Sequence, residues 1–322
     1  MAAPERASTA VRCALATCLA RPAVSNDDVP LAAAIKARGI NCGSAVWNEP
    51  SIDWSTYDAV VLRSTWDYHT QVDQFLGWLS HLESIGTRLI NAPSLVRWNA
   101  DKHYLLELEQ LGARIVPTEV CKGTSLIARL QARPGERVVK PTVSGNSWHT
   151  VRGRAGTEAF EQAVRELPPG LDYLIQPFLP EIVVEGEWSI IFFDGNFSHA
   201  VIKRPREGDY RVQPDFGGTA VPAAPSPKLL ANARSCHDLV PRAGHGMPVY
   251  ARIDGVVSDT MDLLLGLASD IAEDNPDLDL DAELPEDIPT EDEIQGAKSR
   301  FTLIVNLARR ERLTVRQLIE RL

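Results

Sequence analysis

One stretch decides the fold of the second half of this chain. It is residues 186–205, Gly-Glu-Trp-Ser-Ile-Ile-Phe-Phe-Asp-Gly-Asn-Phe-Ser-His-Ala-Val-Ile-Lys-Arg-Pro. Two runs rich in apolar and aromatic residues, 188–193 and 197–203, stand on either side of Asp194-Gly195. An Asp-Gly pair between two such runs is a strong local signal for a tight hairpin turn. We therefore predict an antiparallel hairpin here.

The segments on either side of this hairpin predict two different kinds of sheet. Apolar runs at 137–140, 173–176 and 249–254 have the length of strands and continue the antiparallel character. Nearer the amino terminus, short apolar runs instead alternate with helical patterns, which indicates a parallel α/β sheet. Those predicted strands are 11–16, 58–62 and 88–90, and the predicted helices are 28–39, 72–85 and 101–111.

Composition and charge restrict the class of protein. The net charge is −10, but 12 acidic residues and no basic ones lie between 268 and 297, so the rest of the 322 residues carries a charge of +2. A chain-wide basic surface for nucleic acid is therefore not expected. Five scattered cysteines without a Cys-x-x-Cys pair are typical of reduced thiols. No apolar run approaches the roughly 18 residues that cross a bilayer, so we expect a cytoplasmic protein without a membrane partner.

Two lysines stand where a phosphate could bind. Lys102 is predicted near the start of a helix, and Lys140 ends the strand at 137–140. The polar loop that follows contains Ser144 and Gly145, whose backbone N–H groups can bind phosphate oxygens. Taken singly, a lysine is more often a solvated surface charge, and that alternative stays open.

A strand that ends in polar groups is suited to a purine base. Gln176 and Phe178 stand at the end of an apolar run, and Glu181 and Glu187 follow them. Main-chain groups near the first pair could bind the edge of an adenine, and Glu181 could accept hydrogen bonds from ribose hydroxyls. The alternative is a core strand with its turn.

Positive charge and glycines come together further along the chain. Lys203 and Arg211 lie near Gly217-Gly218, which suits a phosphoryl or acyl-phosphate oxyanion. Arg252 and Asp254 alternate along a predicted strand, so their side chains point to the same face. That pair fits phosphate binding together with Mg²⁺ ligation, and a surface ion pair is the alternative.

Taken in order, these residues resemble the motifs of the ATP-grasp enzymes, in particular the branch with cycloserine synthetase-like and glutathione synthetase-like proteins. The resemblance covers residues 11 to about 257 and implies an α/β fold, in which a parallel pre-ATP-grasp domain precedes ATP-grasp α+β domains. The motifs are Asn99-x-Asp101-Lys102, Val138-Val-Lys140-Pro141, Gln176-Pro-Phe178, Gly186-Glu187-x-Ser189, Lys203-x-Pro205, Arg211, Gly217-Gly218 and Tyr250-Ala-Arg252-x-Asp254.

The resemblance implies that ATP and Mg²⁺ phosphorylate a carboxylate and that an amine or similar nucleophile attacks the acyl phosphate. It implies small-molecule carboxylate and amine partners and leaves the oligomeric state open. The resemblance indicates eight residues for ATP binding: Lys102, Lys140, Ser144, Gly145, Gln176, Phe178, Glu181 and Glu187. It indicates Arg252, Lys203 and Arg211 for catalysis, and it indicates Asp254 as the metal ligand. The substrate residues we select are Arg63, Ser64, Trp66, Asp67, His199, Gly217 and Gly218. The first four of these follow a predicted strand at its carboxyl end, where open α/β sheets bind ligands.

The pattern departs from the family after Asp254. ATP-grasp members follow this strand with another that carries Glu-x-Glu or Glu-x-Asn and completes a two-Mg²⁺ site. Here the chain continues Gly-Val-Val-Ser-Asp-Thr-Met-Asp-Leu-Leu-Leu-Gly, 255–266, in which we expect no such strand. Glu273-Asp-Asn275 matches the Glu-x-Asn pattern, but we interpret this match as a coincidence.

The sequence predicts four segments. They are a disordered start at 1–10, a pre-ATP-grasp domain at 11–95, a truncated nucleotide-binding region at 96–257, and an acidic linker with a helical tail at 258–322. The last 45–60 residues resemble a fragment of the luciferase-like flavin monooxygenases, which indicates a gene fusion. Three hypotheses follow: an impaired ligase, an ATP-binding pseudoenzyme, or a non-functional chimera.

Overall fold

The computed structural model describes residues 11–257 and the backbone of residues 263–265. The described residues form two compact units, one at 11–93 and the other at 94–257 together with 263–265. In these ranges no helix is long and apolar enough to cross a membrane. The predictions made for 1–10 and for the tail fall outside them, apart from the backbone of 263–265.

The first unit is built on a parallel four-stranded sheet. Its strands are β1 (Arg12–Thr17), β2 (Asn41–Val46), β3 (Ala59–Ser64) and β4 (Arg88–Ile90), in the order β2-β1-β3-β4. Two helices accompany them, α1 (Val29–Ala37) and α2 (Val72–Ser84). The predicted parallel sheet is therefore confirmed. Strand β2 was not predicted, because Asn-Cys-Gly-Ser-Ala-Val has small side chains and no apolar run.

An aromatic core explains why α2 packs where it does. Phe75, Trp78, Leu79 and Leu82 are buried and recur at helical spacing. Trp47, which directly follows β2, meets the Phe75 ring edge-on at a centroid distance of 5.3 Å. This face of the helix thus holds the carboxyl end of β2 in place.

The second unit contains two sheets, and the smaller one has the strand order β5-β8-β6-β7. All its pairings are antiparallel. The strands are β5 (Glu119–Lys122), β6 (Glu136–Pro141), β7 (Val151–Arg154) and β8 (Asp172–Pro177), and the helices are α3 (Pro93–Ala100), α4 (Tyr104–Gln110), α5 (Leu126–Gln131) and α6 (Glu158–Arg165). Helices α5 and α6 cover this sheet with Leu126, Leu130, Phe160 and Val164.

The larger sheet has the order β11-β10-β9-β12-β13 and is also antiparallel. Its elements are α7 (Glu181–Val184), β9 (Glu187–Phe193), β10 (Asn196–Arg204), β11 (Thr219–Pro222), α8 (Pro227–His237), α9 (Leu239–Arg242), β12 (Tyr250–Val257) and β13 (Leu263–Leu265). The turn between β9 and β10 has φ of 47° at Asp194 and 72° at Gly195. Positive φ at both positions is the hairpin geometry that Asp-Gly favours, so the predicted hairpin is confirmed.

Strand β13 is an element that the sequence did not predict, although it does not contradict the expected lack of a strand with Glu-x-Glu or Glu-x-Asn after Asp254. Leu263–Leu265 pairs antiparallel with the last three residues of β12, so a further strand does follow Asp254. Backbone pairing needs only an open sheet edge, which the Val-rich end of β12 provides, and it does not need carboxylates. At these three positions the strand carries leucines and none of the Glu or Asn residues that bind metal in the family pattern.

Two smaller expectations are corrected. The helix predicted at 101–111 begins only at Tyr104. The Asp101 carboxylate accepts the His103 N–H at 3.0 Å, and Lys102 N–H donates to Thr142 O at 2.8 Å, so the preceding residues form a turn. The Pro-rich stretch 221–227 predicts a loop, but that loop starts two residues later, because Val221 and Pro222 end the edge strand β11.

The contact between β7 and α6 supplies a test of the packing. A Cβ at Gly153 would lie 2.5 Å from Phe160 Cδ2, whereas a Cβ at Gly170 would meet nothing within 4 Å. Gly153→Ala is therefore expected to lower the free energy of unfolding by about 1–3 kcal/mol, the usual cost of overpacking. Urea unfolding of this variant beside Gly170→Ala measures the difference. Equal loss in both variants would contradict the predicted clash.

Candidate functional site

A cleft lies in the second unit, between β6, β8 and the loops that follow β6 and β10. Lys102 and Lys140 are each 5% exposed there. Burial of both ammonium groups excludes the alternative of solvated surface lysines. Eight of the residues selected from the sequence line the cleft: Lys102, Lys140, Ser144, Gly145, Gln176, Phe178, Glu187 and Arg211.

The loop after β6 is held by Lys102. Its Nζ donates to Ser144 O at 2.6 Å and to Ser144 Oγ at 3.2 Å. Three residues of this loop have left-handed backbone, with φ of 46° at Asn146, 57° at Ser147 and 51° at His149. Such conformations are costly for residues with a Cβ and occur mainly at ligand sites. The loop is thus fixed in an unusual shape beside two lysines.

A second loop, residues 205–218, meets the first one across the cleft. Asn146 Nδ2 donates to Asp215 Oδ2 at 2.6 Å, and Ser147 Oγ donates to Gln213 Oε1 at 3.3 Å. Gly218 allows the close turn, since a Cβ there would lie 2.1 Å from Val212 O. These contacts involve residues that the sequence analysis did not select, because hydrogen bonds between distant loops leave no local pattern.

Arg211, in this second loop, is held by Asp209. Its guanidinium donates to Asp209 at 3.1 Å and 2.7 Å and lies 3.7 Å from the centroid of Phe216. The Arg211 guanidinium holds the pKa of Asp209 well below its usual range, and the backbone N–H groups of Arg211 and Tyr210 add to this effect. The positive charge of Arg211 is therefore oriented but already paired with a carboxylate.

The other end of the cleft is apolar. Phe178 and Val138 line it, and the Arg152 guanidinium lies 3.4 Å from the Phe178 ring centroid. Phe178 N–H donates to Glu136 O at 3.1 Å, and the Gln176 side chain donates to Thr118 Oγ1 at 2.7 Å. These contacts fix the end of β8 in the shape that a flat aromatic ligand would need.

Four charged side chains form a buried cluster on three neighbouring strands. Each of them is at most 9% exposed: Glu187 on β9, Lys203 on β10, and Arg252 and Asp254 on β12. Lys203 Nζ lies 3.1 Å from Glu187 Oε1 and 3.7 Å from Asp254 Oδ2, and Arg252 Nε donates to both Asp254 oxygens at 2.9 Å and 2.8 Å. The predicted shared face of Arg252 and Asp254 is confirmed, and the alternative of a surface ion pair is wrong.

The charges in this cluster decide its protonation. Burial works to raise the pKa of Asp254, but Arg252 and Lys203 outweigh that effect and keep the pKa below its ordinary value. At Glu187 burial raises the pKa, and Lys203 offsets it only in part. Asp254 is thus an anion held between two cations.

We tested whether this cluster fits a divalent cation. Magnesium takes oxygen ligands and often binds through one or two carboxylates plus phosphates. Asp254 and Glu187 both lie near Lys203 Nζ, and their carboxylates could supply such ligands for one ion. Within the described ranges no group of three or more His, Cys, Asp or Glu side chains is placed to hold a metal.

Other residues selected from the sequence lie apart from the cleft lining. Glu181 begins α7, and its buried Oε2 has no hydrogen-bond partner in the described part of the chain. His199 pairs with Ser198 at 2.6 Å, about 13 Å along β10 from Lys203 at the usual rise per residue. Gly217 has φ of 80° and ends a short helical turn beside Gly218.

The four residues selected in the first unit are engaged in contacts of their own. Arg63 forms an ion pair with the fully buried Asp28, and Asp67 accepts the Trp47 indole N–H at 2.7 Å. The Arg21 guanidinium lies over the Trp66 ring, 4.7 Å from its centroid. Ser64 is buried, and its hydroxyl has no hydrogen-bond partner among the described residues. They gather near the carboxyl end of β3, as the sequence predicted.

Comparison with known proteins now adds to this geometry. The family model described as D-cycloserine synthetase DcsG, N-terminal domain, matches residues 13–91. The cycloserine biosynthesis protein DcsG of Streptomyces lavendulae is 34% identical over 189 residues, which is 56% of this chain and 63% of that protein. The crystal structure of D-cycloserine synthetase DcsG has a TM-score of 0.72 and 28% identity, covering 93% of this chain and 99% of that one.

These relatives support the predicted resemblance of this chain to the ATP-grasp ligase family. The predicted fold class of the chain, an α/β unit followed by ATP-grasp sheets, is confirmed. The glutathione synthetase of Prochlorococcus marinus (strain MIT 9313) is a further relative, 29% identical over 69% of this chain and 70% of that protein.

A separate likeness concerns a short stretch. Nitrilotriacetate monooxygenase component A of Aminobacter aminovorans is 56% identical over 43 residues, which is 13% of this chain and 9% of that protein. This weakly supports the resemblance predicted for the tail. So short a match covers too little of the monooxygenase to carry its activity over.

Proposed function

We propose that this chain binds ATP with Mg²⁺ in the cleft of its second unit. The observation that carries this proposal is the pair of buried lysines, Lys102 and Lys140, beside a loop of strained backbone. The negative charge of a triphosphate would be stabilised beside these two buried ammonium groups. The apolar end of the same cleft, at Phe178 and Val138, is suited to the adenine.

The reaction we propose is the joining of a carboxylate to an amine. The γ-phosphoryl group moves to a carboxylate oxygen of the substrate and ADP leaves; the amine then attacks the acyl carbon and phosphate leaves. Both steps build negative charge that fixed cations stabilise. Arg252 and Lys203 would face that charge, and Arg211 would join them from the loop. Mg²⁺ held by Asp254 would neutralise the β and γ phosphates.

We further propose that turnover is impaired. Phosphoryl transfer in this family is expected to use two ions, and the described residues supply carboxylates for one of them. Contacts from Lys102, Lys140 and the loop to ATP do not depend on a second ion. ATP binding is therefore retained better than ligation. An ATP-binding pseudoenzyme is the second candidate, favoured by the leucines of β13, and a non-functional chimera is the third.

The relatives suggest which substrates to try. The names of the relatives point to cycloserine and glutathione synthesis, which both involve small amino-acid-like molecules. We propose small-molecule carboxylates and amines of this class as partners. The five free, buried cysteines fit a location in the reducing cytoplasm.

Release of ADP tests the proposal of impaired turnover. Purified full-length protein is expected to bind ATP while releasing little ADP over a panel of amino-acid carboxylates and amines. The informative variant is Gly266→Glu with Ala268→Glu. Gly255 pairs with Leu265, so the two substitutions follow directly in sequence after the strand that pairs with β12. Carboxylates there should raise ADP release by at least about tenfold, which corresponds to about 1.4 kcal/mol of transition-state stabilisation.

The matched control for that variant is Gly266→Gln with Ala268→Gln, which adds similar volume without charge. Robust turnover by the unmodified chain would show that another group fills the missing role. No rise in the glutamate variant, with ATP binding intact, would favour the pseudoenzyme.

A further inference from the structure

Two cysteines of the first unit face each other across neighbouring strands. Cys13 on β1 and Cys42 on β2 are direct partners in the parallel register, so their side chains lie on the same face of the sheet. They are 5% and 3% exposed and belong to the same core cluster, together with Ala32 of α1. The two thiols lie close enough for each to shift the pKa of the other, upward at Cys13 and downward at Cys42.

This placement satisfies the requirements of a disulfide. Neighbouring strands stand about 4.8 Å apart, which falls inside the usual range of Cα separations for a disulfide, about 4.4–6.8 Å. Side chains on the same face point the same way, as bridging requires. The other three free cysteines, Cys18, Cys121 and Cys236, have no cysteine partner in any strand pairing of the described residues.

We propose that Cys13 and Cys42 form a redox modification site, a buried dithiol that hydrogen peroxide converts to a disulfide and that a thiol reductant restores. The site lies in the first unit and does not depend on nucleotide binding or on the proposed ligase activity.

The chemistry assigns different parts to the two sulfurs. The Cys42 thiolate attacks one oxygen of peroxide, forming a sulfenic acid and releasing hydroxide. The Cys13 thiol then attacks that sulfur, so that the S–S bond forms and water leaves. Two electrons pass from the two sulfurs to the peroxide.

The surroundings favour Cys42 as the attacking group. The neighbouring Cys13 thiol lowers the pKa of Cys42 although burial opposes it, and the Lys36 ammonium in the last turn of α1 acts in the same direction as Cys13. The neighbouring Cys42 thiol and burial raise the pKa of Cys13, which keeps it protonated as the resolving thiol.

Mass spectrometry of the full-length protein tests this proposal. The protein is treated with peroxide, alkylated and digested. We expect a Cys13–Cys42 linked peptide that has lost two hydrogens and that dithiothreitol abolishes. It should form at least tenfold faster than oxidised Cys121 or Cys236, which are similarly buried but single.

Three variants sharpen the assignment. Trypsin leaves Cys13 and Cys18 on one peptide, 13–36, because it does not cleave between Arg21 and Pro22, so Cys18→Ala is the matched control and should keep the link. Cys13→Ala and Cys42→Ala should each abolish it. A link made through Cys18, or unmodified thiols at 13 and 42 in protein whose circular dichroism is native, would overturn the proposal. If an alanine variant does not fold, the presence or absence of the Cys13–Cys42 linked peptide in the unmodified chain still decides the proposal.

Discussion

Lys140→Ala is expected to weaken ATP binding by roughly 10- to 100-fold. Lys140 is 5% exposed and lines the cleft beside the strained loop, so its charge lies close to the proposed position of the phosphates. A hydrogen bond between charged groups contributes about 1.5–3 kcal/mol, which converts to this change in affinity. Titration calorimetry with ATP and Mg²⁺ measures the effect directly.

Lys122→Ala is the matched control for this variant. Lys122 ends a strand of the same sheet and forms an ion pair with Asp172 at 2.7 Å, but its side chain is 69% exposed and lies outside the cleft lining. Its removal should leave ATP affinity unchanged within about twofold, since exposed charges act weakly at a distance. Unchanged affinity in Lys140→Ala would place the nucleotide elsewhere.

Arg252→Ala is expected to lower the free energy of unfolding by about 3–5 kcal/mol, the usual cost of removing one partner from a buried ion pair. Arg252 binds both oxygens of Asp254, and both residues are at most 5% exposed. Without the guanidinium, only Lys203, at 3.7 Å, remains as a cation beside that buried carboxylate. Chemical denaturation of the full-length protein measures the loss.

Arg165→Ala provides the comparison. Arg165 forms an ion pair with Glu161 one helical turn away, at 2.6 Å, but its side chain is 50% exposed. Exposed pairs of this kind contribute about 0.3–0.5 kcal/mol, so the two arginine variants should differ several-fold in their effect. A second comparison is Arg252→Ala with Asp254→Ala, which should lose less than the sum of the single variants because the unpaired anion is gone. A small loss in Arg252→Ala would mean that water enters the cluster.

The nucleotide cleft shows how far local patterns reach. The strand that ends at Lys140 and the apolar run that ends at Phe178 are local features, and the structure places both residues in the cleft lining. The hydrogen bond from Lys102 to Ser144 joins residues 42 positions apart, and the one from Asn146 to Asp215 joins residues 69 apart. Nothing in either local segment indicates its distant partner.

The sequence by itself determined the features that depend on neighbouring residues. Asp194-Gly195 fixes the hairpin because few residues adopt positive φ, and Arg252 and Asp254 share a face because strands alternate. The tertiary structure alone decided the rest. In the folded chain Arg63 pairs with Asp28, the loop of Asn146 contacts the loop of Asp215, and β13 pairs with the edge of the larger sheet. These outcomes arise from desolvation and pairing between segments far apart in the chain, which depend on where the chain folds and not on any spacing within it.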